Sequence, residues 1–109
     1  MDPKKARQEC RMLLEQSTIL RLFGSLIQDG EGVREVAKSL GELYPQFREA
    51  LESVHDKVRV GDTITAGLDE HKGLFPDFVL RLIDAGEEVD NLAENLILAG
   101  DILSDTLLQ

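Results

Sequence analysis

The densest acidic group in the chain is "LIDAGEEVDNLAEN", residues 82–95. Carboxylates at Glu87, Glu88, Asp90 and Glu94 suit three chemistries: stabilising a helix start, holding a hard cation, or meeting a basic partner. An EF-hand loop needs oxygen ligands at alternating positions, and Asp84, Glu87, Glu88 and Asp90 do not fall there. A calcium site would therefore have to be assembled from Glu87 and Asp90 with help from a second subunit. The simplest expectation is local: Gly86 ends an apolar helix, and Glu87 and Glu88 occupy the first turn of the next. There each carboxylate faces the positive end of the helix dipole, worth about 0.3–1 kcal/mol.

Other residue types carry less chemistry. Ser17, Ser25, Ser39, Ser53 and Ser104 lie in helical patterns without the strand–turn–helix setting of an activated nucleophile. His55 and His71 are too far apart to be a metal pair on one helical turn. Cys10 has Arg7 and Arg11 beside it but falls on an apolar stripe, so a packed thiol is expected. The glycines are separated by whole helices and form no phosphate-binding loop. The segment "PKKARQECRMLLEQ" has four bases around an apolar stripe, as membrane-surface helices do. Three acids interleave residues 1–15, and an ordinary bundle helix is the preferred reading.

The elements that must position these groups are all helical. The 109 residues make one domain, 42% hydrophobic and 30% charged, with no tryptophan and 5% aromatics. Such a core is built from Leu, Ile, Val and Ala, which favours helix packing over a β-sandwich. One cysteine excludes an internal disulfide. No apolar run reaches the roughly 18 residues of a membrane span, and Lys4, Lys5, Glu9 and Arg11 interrupt any signal-peptide core. The net charge is −9, and residues 61–109 carry all of it, with two bases against eleven acids. A surface that acidic repels a phosphate backbone, so nucleic acid is not a partner, and it suits a basic protein or a cation.

Apolar residues recur at three and four almost everywhere. Pro3 opens a helix bearing Ala6, Cys10, Leu13 and Leu14. Ser17 either caps a second helix or lies within the first as it continues through Ile19, Leu20, Phe23, Leu26 and Ile27 to Asp29-Gly30. Further stripes are Val33 to Leu40, Phe47 to Val58, Ile64 to Leu68 capped by Asp62 or Thr63, and Phe75 to Ile83. The last is Val89, Leu92, Ala93, Leu96 and Leu103. Gly30, Gly41, Gly61, Gly73 and Gly86 fall between stripes, where helix ends take a left-handed residue. Short linkers force neighbours antiparallel. The fold expected is all-α, a compact antiparallel bundle of about six helices.

The order of these features resembles the F domain of type II secretion and type IV pilus systems. The likeness runs through "LRLFGSLIQDG" and then "FREALESVHDKVRVGDTITAGLDEHKGLFPDFVLRLIDAGEEVDNLAENLILAGDIL". It rests on Asp29-Gly30, Gly61, Thr63-Ile64, Phe75-Pro76, Gly86-Glu87 and Asn91-Leu92 in that order. Val89-Asp90 stands where the family has Ser-Gly, and Glu31-Gly32 where it often has an apolar residue and Pro. The resemblance divides the chain into an N-terminal helical extension, 1–18, and the F-type bundle, 19–109. It implies a non-enzymatic scaffold from an inner-membrane platform protein, on the cytoplasmic side and tethered to the membrane in the full-length protein. Its implied partners are the assembly ATPase, inner-membrane components and a second copy of itself in a homodimer.

On this reading Asp77, Glu87, Glu88 and Asp90 would meet the partner. The second apolar stripe of the last helix, Leu98, Ile102 and Leu108, would serve a dimer or a membrane-proximal face. No cofactor is expected. The alternative function is a small acidic calcium-binding protein with Glu87, Glu88, Asp90 and Glu94 as ligands, Glu87 and Asp90 being the candidates for a metal in either case.

Overall fold

Asp2 starts the first helix by accepting a hydrogen bond from the Lys4 N–H at 3.0 Å, with Pro3 in the first turn where its missing N–H costs nothing. From there α1 (Pro3–Gln28) runs unbroken for 26 residues. Ser17 does not cap a second helix. It is buried inside α1, where its Oγ donates to the Gly100 carbonyl at 2.9 Å. The computed structural model describes residues 2–107, with side chains through Thr106. After α1 come α2 (Val33–Leu43), a single 3-10 turn at Pro45–Phe47, α3 (Arg48–Arg59), α4 (Ile64–Asp69), α5 (Asp77–Glu88) and α6 (Leu92–Leu107). No strand occurs among the described residues. The all-α bundle expected from the stripes is the fold observed.

Each helix buries most of its stripe, but Leu14, expected on the stripe of α1, is 58% exposed. α1 lies along α6, α6 along α5, and α2, α3 and α4 pack in succession, with α1 also touching α2 and α4 touching α5. The core between them holds Ile19, Leu20, Phe23, Val36, Leu40, Leu51, Val54, Ile64, Val79, Ile83, Leu96 and Leu103. Phe47 and Phe75 meet there with ring centroids 5.6 Å apart in a tilted pair. Such a contact typically adds about 0.5–1.5 kcal/mol beyond its area. The α1–α6 crossing is close because two glycines open it. A Cβ on Gly24 would stand 2.6 Å from the Ala93 carbonyl oxygen, and one on Gly100 would stand 2.9 Å from that of Ser17. Arg21 Nε closes the seam on its outer side with a 2.8 Å bond to Asp101 Oδ1.

Several local expectations fail for identifiable reasons. Gly41 is not in a turn but buried within α2, and the chain reverses instead at Tyr44-Pro45. Gly86 likewise lies inside α5, packed against the Asn91 carbonyl and the Asn95 side chain. That turn falls at Val89–Asn91, where Asp90 takes the left-handed conformation at φ 57°. Aspartate tolerates this region better than most residues do. Val89 consequently projects from the turn, 71% exposed, and does not join the core stripe. Cys10 is exposed, not packed. With 26 residues against the 16 of α6, α1 extends past its partner, leaving the first turns uncovered. The long axis of 44 Å, against 24 and 23 Å, reflects that helix, about 39 Å long at 1.5 Å per residue.

Candidate interaction surface

α4 has six residues, far too few to stand alone in water. What holds its start is an accounting of backbone donors. The Thr63 N–H donates to Asp62 Oδ1 at 2.8 Å and the Ala66 N–H to Thr63 Oγ1 at 3.0 Å, so both residues expected to cap it take part. The remaining two donors go to Glu87. Ile64 N–H reaches Glu87 Oε2 at 2.8 Å and Thr65 N–H reaches Oε1 at 2.9 Å; Thr65 Oγ1 donates to the same Oε1 at 2.7 Å. Glu87 therefore does face a helix N-terminus, but that of α4 and not of its successor. Both it and Glu88 belong to the last turn of α5, which contradicts their expected place in the first turn of the final helix. That first turn contains Glu94 instead.

This geometry divides the four acids expected to meet a partner. Glu87 is half-buried and committed to α4 through both oxygens. Glu88 and Asp90 are exposed at the α5–α6 turn, with Asp84 and Glu94 exposed on the flanking helices. None of these four forms an ion pair among the described residues. Asp77 begins α5, eleven residues before Glu88, so the two are about 16 Å apart along the helix. Among the described residues no three His, Cys, Asp or Glu side chains gather closely enough to hold a metal ion. That statement includes Glu87, Glu88, Asp90 and Glu94.

On α6, Leu98 and Ile102 stand one turn apart on the outer face, 45% and 39% exposed. Leu108, the third residue of that expected stripe, lies outside the described residues. Among the described residues no helix is long and apolar enough to cross a membrane.

Three polar contacts escaped the sequence reading. Ser53 Oγ and His71 Nε2 lie 2.8 Å apart, and Lys57 Nζ meets Glu70 Oε1 at 3.0 Å, so α3 is fastened twice to the segment after α4. The Lys57 hydrogen bond and charge hold the Glu70 carboxyl below the ordinary range, and Glu70 raises Lys57 in return. Gln16 is buried in α1 and its Nε2 donates to the Leu74 carbonyl at 2.6 Å. No signal of spacing marks these pairs, because their partners are 13 to 58 residues apart.

The fold is an all-helical bundle domain with uncovered acids at the α5–α6 turn and an exposed apolar pair on α6. The sequence model of the family described as Type II secretion system (T2SS), protein F matches residues 19–109, and the chain belongs to that family. No curated protein is similar enough to match it.

Proposed function

We propose that this domain is a non-enzymatic scaffold of an inner-membrane platform protein in type II secretion or type IV pilus assembly, docking the cytoplasmic assembly ATPase and inner-membrane partners. The observation that supports it most is the group Asp84, Glu88, Asp90 and Glu94, exposed and without ion pairs among the described residues, in a member of the T2SS protein F family. Carboxylates that pair with no cation of the domain are free to orient a basic partner, setting encounter rate and register more than affinity. Leu98 and Ile102 would face a second copy or the membrane-proximal parts of the platform. The domain would act on the cytoplasmic side of the inner membrane, tethered there by the rest of the platform.

The test is capture of the purified assembly ATPase of the same system by the wild-type domain and by Glu88→Lys/Asp90→Lys. Glu87 is left intact, because changing it would disturb α4 and confuse binding with folding. Saturable binding by the wild type, weakened in the folded double variant and by added salt, supports the reading. Equal binding by both proteins moves the interface off the α5–α6 turn, and no binding by the folded wild type refutes the docking of the ATPase.

A further inference from the structure

We propose that the first turns of α1 dock on the anionic headgroups of a phospholipid bilayer. α1 is a bundle helix only where α6 covers it. The two run antiparallel, with Gly100 over Ser17 and Ala93 over Gly24. The seven residues that follow Gly100 as far as Leu107 bring α6 back only to about the level of Cys10. On the turns before that, two rows lie side by side. Lys4, Arg7 and Arg11 recur at three and four, and Ala6, Cys10 and Leu14 recur at four, so each row keeps to one strip of the helix. The three bases are exposed, as are Lys5, Cys10 and Leu14. Lys4, Lys5 and Arg7 form no ion pair among the described residues, and Arg11 meets Glu15 at 3.7 Å with 76% of its own side chain still exposed.

Charge selects the occupant. From Asp2 to Arg11 four bases stand against two acids, a net of +2 in a chain of net −9, which leaves −11 on the other residues. Asp2 already accepts from the Lys4 N–H as the helix cap. Glu9 lies two residues, about 200° round the helix, from both Arg7 and Arg11, and faces the start of α5. The acidic α5–α6 turn is at the far pole. It leads into Ala93, over Gly24, so Glu88 and Asp90 stand about 30 Å along α1 from Lys4. The Debye length in physiological salt is about 8 Å, so an anionic surface beneath the basic row attracts it and hardly senses that turn. A bilayer suits the row better than a soluble anion. Its headgroups form a continuous sheet of charge, and the stems of Lys and Arg, with Leu14, can lie at the headgroup boundary. One exposed leucine gives little insertion, so the contact is electrostatic and reversible. The inference rests on the place beside the inner membrane proposed above, and not on docking of the ATPase. Held this way, the domain points Glu88 and Asp90 away from the bilayer, open to a basic partner.

The test is flotation of the purified domain with vesicles of equal parts phosphatidylglycerol and phosphatidylcholine, beside vesicles of phosphatidylcholine alone. A polarity-sensitive fluorophore on Cys10, the chain's single cysteine, reports which end makes contact. The wild type should float with the anionic vesicles only and the Cys10 emission should shift to the blue, both reversed by about 0.5 M salt. Lys4→Gln/Lys5→Gln should weaken partitioning about 25-fold, roughly fivefold for each base lost from the surface, with the circular dichroism unchanged. With the fluorophore moved to the far pole in Cys10→Ser/Glu88→Cys, flotation should persist and the emission should not move. The proposal is overturned if the wild type does not float, if neutral vesicles bind it equally, or if the lysine variant partitions like the wild type. An emission shift at Glu88→Cys as large as that at Cys10 overturns it too. So does salt-sensitive self-association without lipid that the lysine variant loses and vesicles do not displace, since a second copy then occupies the basic row. Glu88→Lys/Asp90→Lys leaves α1 intact and Lys4→Gln/Lys5→Gln leaves the acidic turn intact, so ATPase docking and membrane binding can fail separately.

Discussion

Replacing Glu87 with alanine should destabilise the domain by about 2.5 kcal/mol. Three hydrogen bonds to a carboxylate, at roughly 1.5–3 kcal/mol each, would suggest about 4.5–9 kcal/mol if they were independent. They are not, because Glu87 is half-buried and water can reach the Thr65 donors once the carboxylate is gone. A lost helix cap costs about 0.5–2 kcal/mol, and the charge at the positive end of α4 adds about 0.3–1 kcal/mol. The value near 2.5 kcal/mol lies in the upper half of their sum, about 0.8–3 kcal/mol, since α4 has little else to hold its first turn. For a chain of this length that is a fall in Tm of about 10 °C. Glu87→Gln keeps one acceptor oxygen and should lose about 1 kcal/mol.

Urea unfolding followed by circular dichroism gives the global number, with Glu88→Ala as the control. Its side chain is exposed, and an alanine there should stay within about 0.5 kcal/mol of the wild type. Hydrogen exchange locates the effect, because the amides of Ile64 and Thr65 donate to Glu87 and should exchange faster in Glu87→Ala. Equal losses from Glu87→Ala and Glu88→Ala would refute the capping argument. So would unchanged protection at Ile64 and Thr65 in the alanine variant.

Gly24→Ala should lose about 1–3 kcal/mol, because its Cβ would meet the Ala93 carbonyl oxygen at 2.6 Å and force α1 from α6. Gly41→Ala has no neighbour closer than 3.6 Å and removes a helix-weakening residue from α2, so its urea midpoint should rise by up to about 1 kcal/mol equivalent. The Lys57–Glu70 pair should give stability a dependence on pH at both extremes. Glu70 is lowered by Lys57, so its contribution is complete above the ordinary carboxylate range and lost as pH falls through the lowered value. Lys57 is raised by Glu70, so its contribution is complete below the ordinary lysine range and lost as pH rises through the raised value. Urea midpoints across pH should therefore show the difference between wild type and Lys57→Met as a plateau that shrinks on both sides.

What was legible in the sequence was what the chain decides locally. Stripes at three and four residues marked the helices, Thr63 carried the capping chemistry of α4, and Pro3 marked a helix start. Gly30, Gly61 and Gly73 do take positive φ where helices end. Gly86 shows where the same rule stops. Its local signal for a helix end yields to packing against Asn91 and Asn95, while Asn95 Nδ2 donates to the Leu82 carbonyl at 2.7 Å. Once α5 continues through Gly86, the turn has to be made by Asp90, and Val89 leaves the core. Ser17 was open between cap and interior because its partner, Gly100, is 83 residues away. For the candidate surface, the spacing of Asp77 from Glu88 along one helix already separates them, and Glu88 and Asp90 are exposed close together in the chain, but nothing local reveals that Glu87 is committed to α4.

The commitment of Glu87 changes what the acidic run can mean. In "GEEVD", two adjacent carboxylates look interchangeable, yet a helix separates their directions by about 100° per residue. One turns inward to α4 and the other outward to solvent. The inward acid ties the end of α5 to the start of α4, just before α6 begins, so the turn that displays Glu88 and Asp90 is anchored on its α5 side. A charged surface presented from an anchored turn loses less conformational freedom on binding than one on a loose loop. Glu87 would then matter to a partner without touching it: weakening the cap should loosen the neighbouring acids, whereas reversing those acids should leave α4 in place.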